Sequence, residues 1–442
     1  MSRWLGAVVS VGVVVGLFGA PRVTAQWSGI ADRDHPAINY LTTPTSDAVA
    51  GLQRRLDRRE RSLARDPRTG YLPAVLEALD VPVSSQVLVF SRTSLQKARI
   101  SPRTPRAIYF SDRVYVAFVP GGSVLEVAAV DPRQGVMFYT LDQRAAVPRF
   151  QRQTTACLEC HDTRASTGGV PGLLFKSHYT TSAGEVLAPA GAFGAVGRGP
   201  LANRWGGWFV TGTHGRQTHL GNGFAARGRK GPDQDVSAGA NHTTLPVGIE
   251  QHYPSRHSDI AALLVLEHQV RTQNLVTRLG YRTRMALDFE AARTRAGATR
   301  ATGPEPGIRA YIEREAEPLV RALLYIDEPL LEDPVAGTSD FAREYSAKGP
   351  RDRTGRSLFE LDLTTRVPRY RCSPLVYSPA FAALPPLARE VVLRRVSNML
   401  SSADRTQEAV GVTAADRLAA RAILRETLPG FAAAAGRHAP PE

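Results

Sequence analysis

Six residues, Cys157-Leu158-Glu159-Cys160-His161-Asp162, constrain this chain more than any other stretch. Two cysteines three positions apart share one helical turn, and a histidine follows the second directly; this C-x-x-C-H spacing is the one by which a chain attaches haem covalently. The chemistry sets the spacing. Thiols on one turn reach the two vinyl groups at one edge of a porphyrin, and the adjacent imidazole then lies under the ring. Cys157 and Cys160 are therefore expected to carry thioether bonds to one covalent haem c, with Nε2 of His161 on the iron as proximal ligand. Two other uses of such a pair fit less well. A structural zinc site wants a second close pair of Cys or His, and Cys372 stands alone. A thioredoxin-like pair ends a strand of a βαβ unit and has no use for the following histidine.

Covalent haem is attached outside the cytoplasm, so the motif demands export. Arg3 precedes an apolar run from Trp4 to Ala20, and Val23-Thr24-Ala25 places small residues before Gln26, the pattern of a secretory signal peptide over residues 1–25. The longest later apolar stretch, Ile260 to Leu266, is too short to cross a bilayer, so no membrane span is expected after cleavage and the mature chain is placed in the periplasm or outside the cell. With 55 Lys and Arg against 41 Asp and Glu, the formal charge is +14. Such a field suits docking to an acidic redox partner protein. No stretch interleaves aromatic and basic residues as nucleic-acid readers do, and export argues further against that partner.

Hydrophobic periodicity divides the rest. Ser46 and Asp47 can cap a helix carrying Val49, Leu52, Leu56 and Leu63, and a shorter helix is expected from Leu72 to Leu79. Val87 to Phe90 reads as a strand. Ile108, Phe110, Val114, Val116 and Phe118 alternate with more polar residues around a turn at Ser111-Asp112-Arg113, and Val124–Val130 and Val136–Leu141 continue the pattern, so residues 85 to 142 predict an antiparallel meander. A helix is expected from about Ser258 to Leu279, bearing His268 with Glu267 beside it and His257 just before. Ala298 to Gly307 reads as a linker, and Tyr311–Ile326 and Leu387–Leu400 as helices; Thr413 with Asp416 gives a capping-box start to a last helix through Leu424. Asp327, Glu328, Glu332 and Asp333 form an acidic cluster, read as a charged helix end with a cation site as the alternative. The fold class expected is α+β: an N-terminal antiparallel sheet with helices over 26–150, a central haem-binding loop segment over 151–250, and a mainly helical C-terminal part over 251–442.

Past His161 the chain runs through Gly168-Gly169-Val170-Pro171-Gly172, and here it resembles the c-type cytochromes beyond the bare motif. That resemblance implies that the Pro171 carbonyl accepts the Nδ1–H of His161 and so fixes its tautomer. The small cytochrome c fold alone does not suffice: the motif is central, and no methionine lies between Met137 and Met285 to supply a second iron ligand. Arg204-Trp205-Gly206-Gly207-Trp208 and the following Thr211 to Asn222 supply aromatic and cationic residues for a haem wall, with Arg204 or Arg216 as propionate partners. His219, then His214, are the candidates for the distal iron ligand. Across Ser85–Ser91, Trp205–Asn222 and Cys372–Ser378 the chain resembles exported single-haem proteins of environmental bacteria, which implies a haem-dependent redox role in the cell envelope and no particular reaction. Three uses remain: an electron carrier with six-coordinate iron, a peroxidase-like oxidoreductase with an open distal site, and a haem-based sensor.

Overall fold

The computed structural model describes residues 32–190, 198–228, 230–297, 305–401 and 413–436. The expected signal peptide, and most of the expected linker from Ala298, lie outside them. The organising element is a seven-stranded sheet in the order β6-β5-β4-β3-β2-β1-β9. Its strands are β1 (Val87–Val89), β2 (Arg106–Phe110), β3 (Val114–Phe118), β4 (Val124–Asp131), β5 (Gly135–Asp142), β6 (Phe150–Arg152) and β9 (Trp208–Phe209), every neighbouring pair antiparallel. The meander expected over 85 to 142 is therefore present. Its β2–β3 hairpin turns at Ser111-Asp112-Arg113, with Phe110 opposite Tyr115.

Period-two alternation gives the sheet two different faces. Tyr109, Val116, Val127 and Tyr139 are buried on one of them. There α1 (Ala48–Asp57) starts at Asp47, whose Oδ1 accepts from the backbone of Val49 and Ala50, while Oδ2 accepts from the Tyr139 hydroxyl at 2.7 Å. One carboxylate thus caps the helix and ties it to the sheet. The helix stops before Leu63, which is buried in the core all the same. α2 (Leu72–Ala78) adds Leu72, Val75 and Leu76 to that core.

The opposite face meets the segment that carries the cysteine motif, and α4. That segment contains the one-turn helix α3 (Leu158–His161) and the hairpin of β7 (His178–Thr180) with β8 (Val186–Pro189). α4 (Ile260–Arg295) is 36 residues long, well past the expected end at Leu279. Gly280 costs helix propensity but supplies no stop, and no proline follows to impose one. Asp259 caps it, Oδ1 accepting from Ala261 and Ala262 while Oδ2 takes the amides of Thr338 and Ser339.

The C-terminal part is mainly helical, as expected: α5 (Pro306–Leu323), α6 (Phe341–Ser346), α7 (Pro379–Ala382), α8 (Pro386–Met399), α9 (Ala414–Thr427) and α10 (Phe431–Gly436). The Thr413–Asp416 capping box opens α9 with both reciprocal hydrogen bonds present. Among the described residues no helix is long and apolar enough to cross a membrane.

Candidate functional site

Leu158 is the anchor of the motif turn. It is buried while Glu159 and Cys160 are exposed, and Cys157 is half-buried against the core, so the turn is pinned by Leu158 with Cys157 beside it and Cys160 toward the outside. Burial pushes the Cys157 thiol up to about 11, with the Glu126 charge adding to the effect. A redox-active C-x-x-C pair needs the reverse, a thiol held below its ordinary value. Asp162 ends the turn in an ion pair with Arg33.

The histidine is fixed with more care than the cysteines. Its Nδ1 lies 2.9 Å from the Gly172 carbonyl oxygen, and the Gly172 amide donates to the His161 carbonyl at 2.9 Å. A carbonyl only accepts, so Nδ1 carries the proton and the lone pair is on Nε2. Nε2 has no hydrogen-bond partner among the described residues. The ring leans on Phe138 of β5, centroids 4.7 Å apart. Burial lowers its pKa to about 4, with the Gly172 bond opposing and the charges of Arg106 and Lys176 adding to the fall. A neutral imidazole with one nitrogen tied to a carbonyl and the other free is the form that ligates a metal. The resemblance placed this acceptor at Pro171. It is one residue further on, because the Pro171 carbonyl accepts instead from the Val136 amide at 3.4 Å.

Gly172 is held in turn from α4. Asn274 accepts from the Leu173 amide through Oδ1 and donates to the Leu173 carbonyl through Nδ2, both at 2.8 Å. A Cβ on residue 172 would lie 2.5 Å from that Oδ1, so only glycine admits the clamp. The sequence offered no sign of Asn274, which stands 101 positions from Leu173.

Beyond Gly172 the chain borders a cavity of about 650 Å³, closed on its far side by Glu267, Val270, Arg271, Asn274 and Arg278 of α4. Those five recur at helical spacing on one face. The buried ion pair Arg204–Glu267 (3.1 Å) forms part of its wall, and burial raises the Glu267 carboxyl despite the neighbouring guanidinium. His178 on β7 is also among its lining residues, and both of its ring nitrogens are buried without a hydrogen bond. The sequence reading passed over His178; the alternation Lys176-Ser177-His178 at the start of a strand was the available signal.

His219 and His214 occupy a different place. Their rings lie 4.7 Å apart, and His219 packs on Trp205 at 5.3 Å. His214 Nε2 accepts from the Asn241 amide at 3.0 Å. Burial lowers both, His219 to about 3. Neither is among the residues lining the cavity, and among the described residues no hydrogen bond or ring contact joins either to His161. Arg204 is engaged by Glu267 and the Gly199 carbonyl, and Arg216, largely exposed, by Asp333.

His268 and the acidic cluster belong to one buried network. His268 Nδ1 lies 2.5 Å from Glu328 Oε1 and its Nε2 2.8 Å from Ser373 Oγ, with Tyr325 stacked on the ring at 3.9 Å. The order hydroxyl–imidazole–carboxylate is that of a nucleophile and its base, but Ser373 has no exposed surface, so the network stitches α4 to the C-terminal part. Asp327 pairs with Arg271 and Arg321, and Asp333 with Arg216; the backbone amide of Glu332 bonds Gln217. The charged-end reading accounts for the cluster. Cys372 is fully buried beside this network. His257 bonds Gln86 through its carbonyl.

No protein-family profile, curated protein or solved structure matches this chain.

Proposed function

We propose that this chain is an exported c-type haem protein that transfers electrons in the cell envelope, its single haem held through Cys157 and Cys160 with His161 as proximal iron ligand. One observation carries the reading: His161 is neutral, its Nδ1–H is committed to the Gly172 carbonyl, and its Nε2 is free beside two thiols on the same turn. When bound, the haem supplies a one-electron couple. The chain's own part is orientation and exclusion. Gly172 holds the Nδ1 proton and strengthens Nε2 as a donor, Phe138 fixes the ring plane, and Asn274 keeps Gly172 in place. The half-buried sheet face at Ile108, Ala117 and Ala128, beside Phe138, offers apolar surface for a flat partner, and the net positive charge suits an acidic redox protein.

A second reading, an oxidoreductase with an open iron position, is favoured by the cavity next to the motif, where Glu267 and His178 could move protons. The absorption spectrum separates them. Protein matured in an export-competent host should show a haem spectrum that survives denaturation with the chain. In C157A/C160A the haem should become extractable by acid acetone, and a normal spectrum in His161→Ala would sink the assignment. A low-spin spectrum indifferent to cyanide or carbon monoxide supports the carrier, and a high-spin one that shifts supports the enzyme.

A further inference from the structure

The 650 Å³ cavity combines two features that rarely serve packing alone. Its lining is rich in cations, with six Arg and Lys against the single carboxylate of Glu267, while Asp327 pairs with Arg271 and Glu315 with Arg278. The side chains of Arg164 and Lys176 make no hydrogen bond or ion pair among the described residues. Its inner wall carries His178, 8% exposed, both ring nitrogens buried and unpaired, and Arg271 Nη1 and Arg278 Nε are buried and unpaired as well. These nitrogens have no surface that a ligand could reach, so the side chains able to meet one are the unengaged cations Arg164 and Lys176. Leu173, Phe175 and Val270 give the wall an apolar part, beside Ser166, Thr167, Ser177, Asn203 and Asn274, and the volume falls in the range of small-molecule sites.

Gly206 shows that the site is built. A Cβ there would lie 2.4 Å from the His178 carbonyl, so glycine lets the Arg204–Gly207 loop close against β7 and hold His178 in the wall. Phe175 stacks on Trp208 at 4.5 Å, and the Trp208 indole donates to the Lys176 carbonyl, which puts a fluorescent reporter directly behind the lining.

We infer that this cavity binds an organic anion, an apolar body bearing a carboxylate or comparable oxyanion, with Lys176 and Arg164 meeting the charge and Leu173, Phe175 and Val270 the apolar body. The anion could be supplied by a free carboxylic acid or by the carboxylates of a tetrapyrrole attached at the neighbouring cysteines. The inference stands apart from the haem reading, because it requires only the cavity.

The test is a titration of phthalate, followed by Trp fluorescence and calorimetry, on the haem-loaded protein and on C157A/C160A. Saturable binding to both, weakened about tenfold per cation in K176Q and R164Q, supports a free-acid site. Binding only to C157A/C160A, with the same variant pattern, supports the same chemistry supplied by the tetrapyrrole. No binding to either protein, or binding that ignores both substitutions, overturns the inference.

Discussion

Asn274 is the residue through which the distant helix α4 is expected to control His161, and its removal can be worked out from the contacts. Its amide satisfies both the N–H and the C=O of Leu173, which is itself buried. Asn274→Ala leaves two backbone groups unpaired at about 1–3 kcal/mol each. Because the cavity borders Asn274 and can admit water to them, the lower half of that range applies, giving a loss of about 2–4 kcal/mol. Urea unfolding followed by circular dichroism, compared at constant m, reads it directly. Gly172→Ala tests the geometry independently, since its methyl would sit 2.5 Å from Asn274 Oδ1 and 3.1 Å from Thr167 Cβ. That overpacking costs about 1–3 kcal/mol in the parent. In the Asn274→Ala background the first clash is gone, so the double variant should cost about 1 kcal/mol less than the sum. The haem-loaded Asn274→Ala protein should also show a raised reduction potential, because a looser Gly172 carbonyl makes His161 a poorer donor. A loss below about 0.5 kcal/mol, or strict additivity with Gly172→Ala, refutes the clamp.

Two further outcomes follow from buried charge. His178 and His219 are held neutral by burial, with folded pKa values of about 4 and about 3 against an ordinary value near 6.5. The unfolded chain takes up their protons first, so stability is full above about pH 6.5 and falls as the pH drops through the folded values, by roughly 3 kcal/mol or more for each group. Urea midpoints of C157A/C160A between pH 7 and 4 should fall accordingly, less steeply in His178→Gln; a flat profile contradicts it. In the Arg204–Glu267 pair, Arg204→Met strands a buried carboxylate and should cost about 3–5 kcal/mol, whereas R204M/E267L should recover most of that. If the double variant is as unstable as the single in thermal unfolding, the ion pair is not the source of the loss.

What could be read from sequence was what is local. The Ser111–Arg113 turn and the Thr413–Asp416 box depend on residues within a few positions of one another, and both occur where expected. The motif turn is equally local. The acceptor for His161 was placed one residue early because a turn's composition does not say which of two successive carbonyls faces inward; here the Val136 amide takes the Pro171 oxygen and leaves Gly172 for the imidazole. His219 and His214, the distal-ligand candidates, lie among glycines that admit close approaches: a Cβ at Gly221 would meet Val210 and the His219 ring, and one at Gly215 would meet Asp333. His178 carries no such marker. Its importance arises only when β7 and the loop before β9 meet α4 across nearly ninety residues.

α4 explains why that information is non-local. A helix in water needs one apolar stripe, but this one buries Glu267, His268, Gln269 and Asn274 in a single stretch. Each goes to a different neighbour: Glu267 to Arg204, His268 to Glu328 and Ser373, Gln269 to Ser111 and Tyr115, Asn274 to Leu173. Such polar groups are tolerated inside only when every partner is in place, so they fix the relative positions of the sheet, the motif segment and the C-terminal part more sharply than apolar packing would. The neutral His161 imidazole, with Nδ1 held by Gly172, is the result at one end of that scaffold. A helix with the same stripe but leucine at 267, 269 and 274 would bury as much surface and leave Gly172 free to turn away.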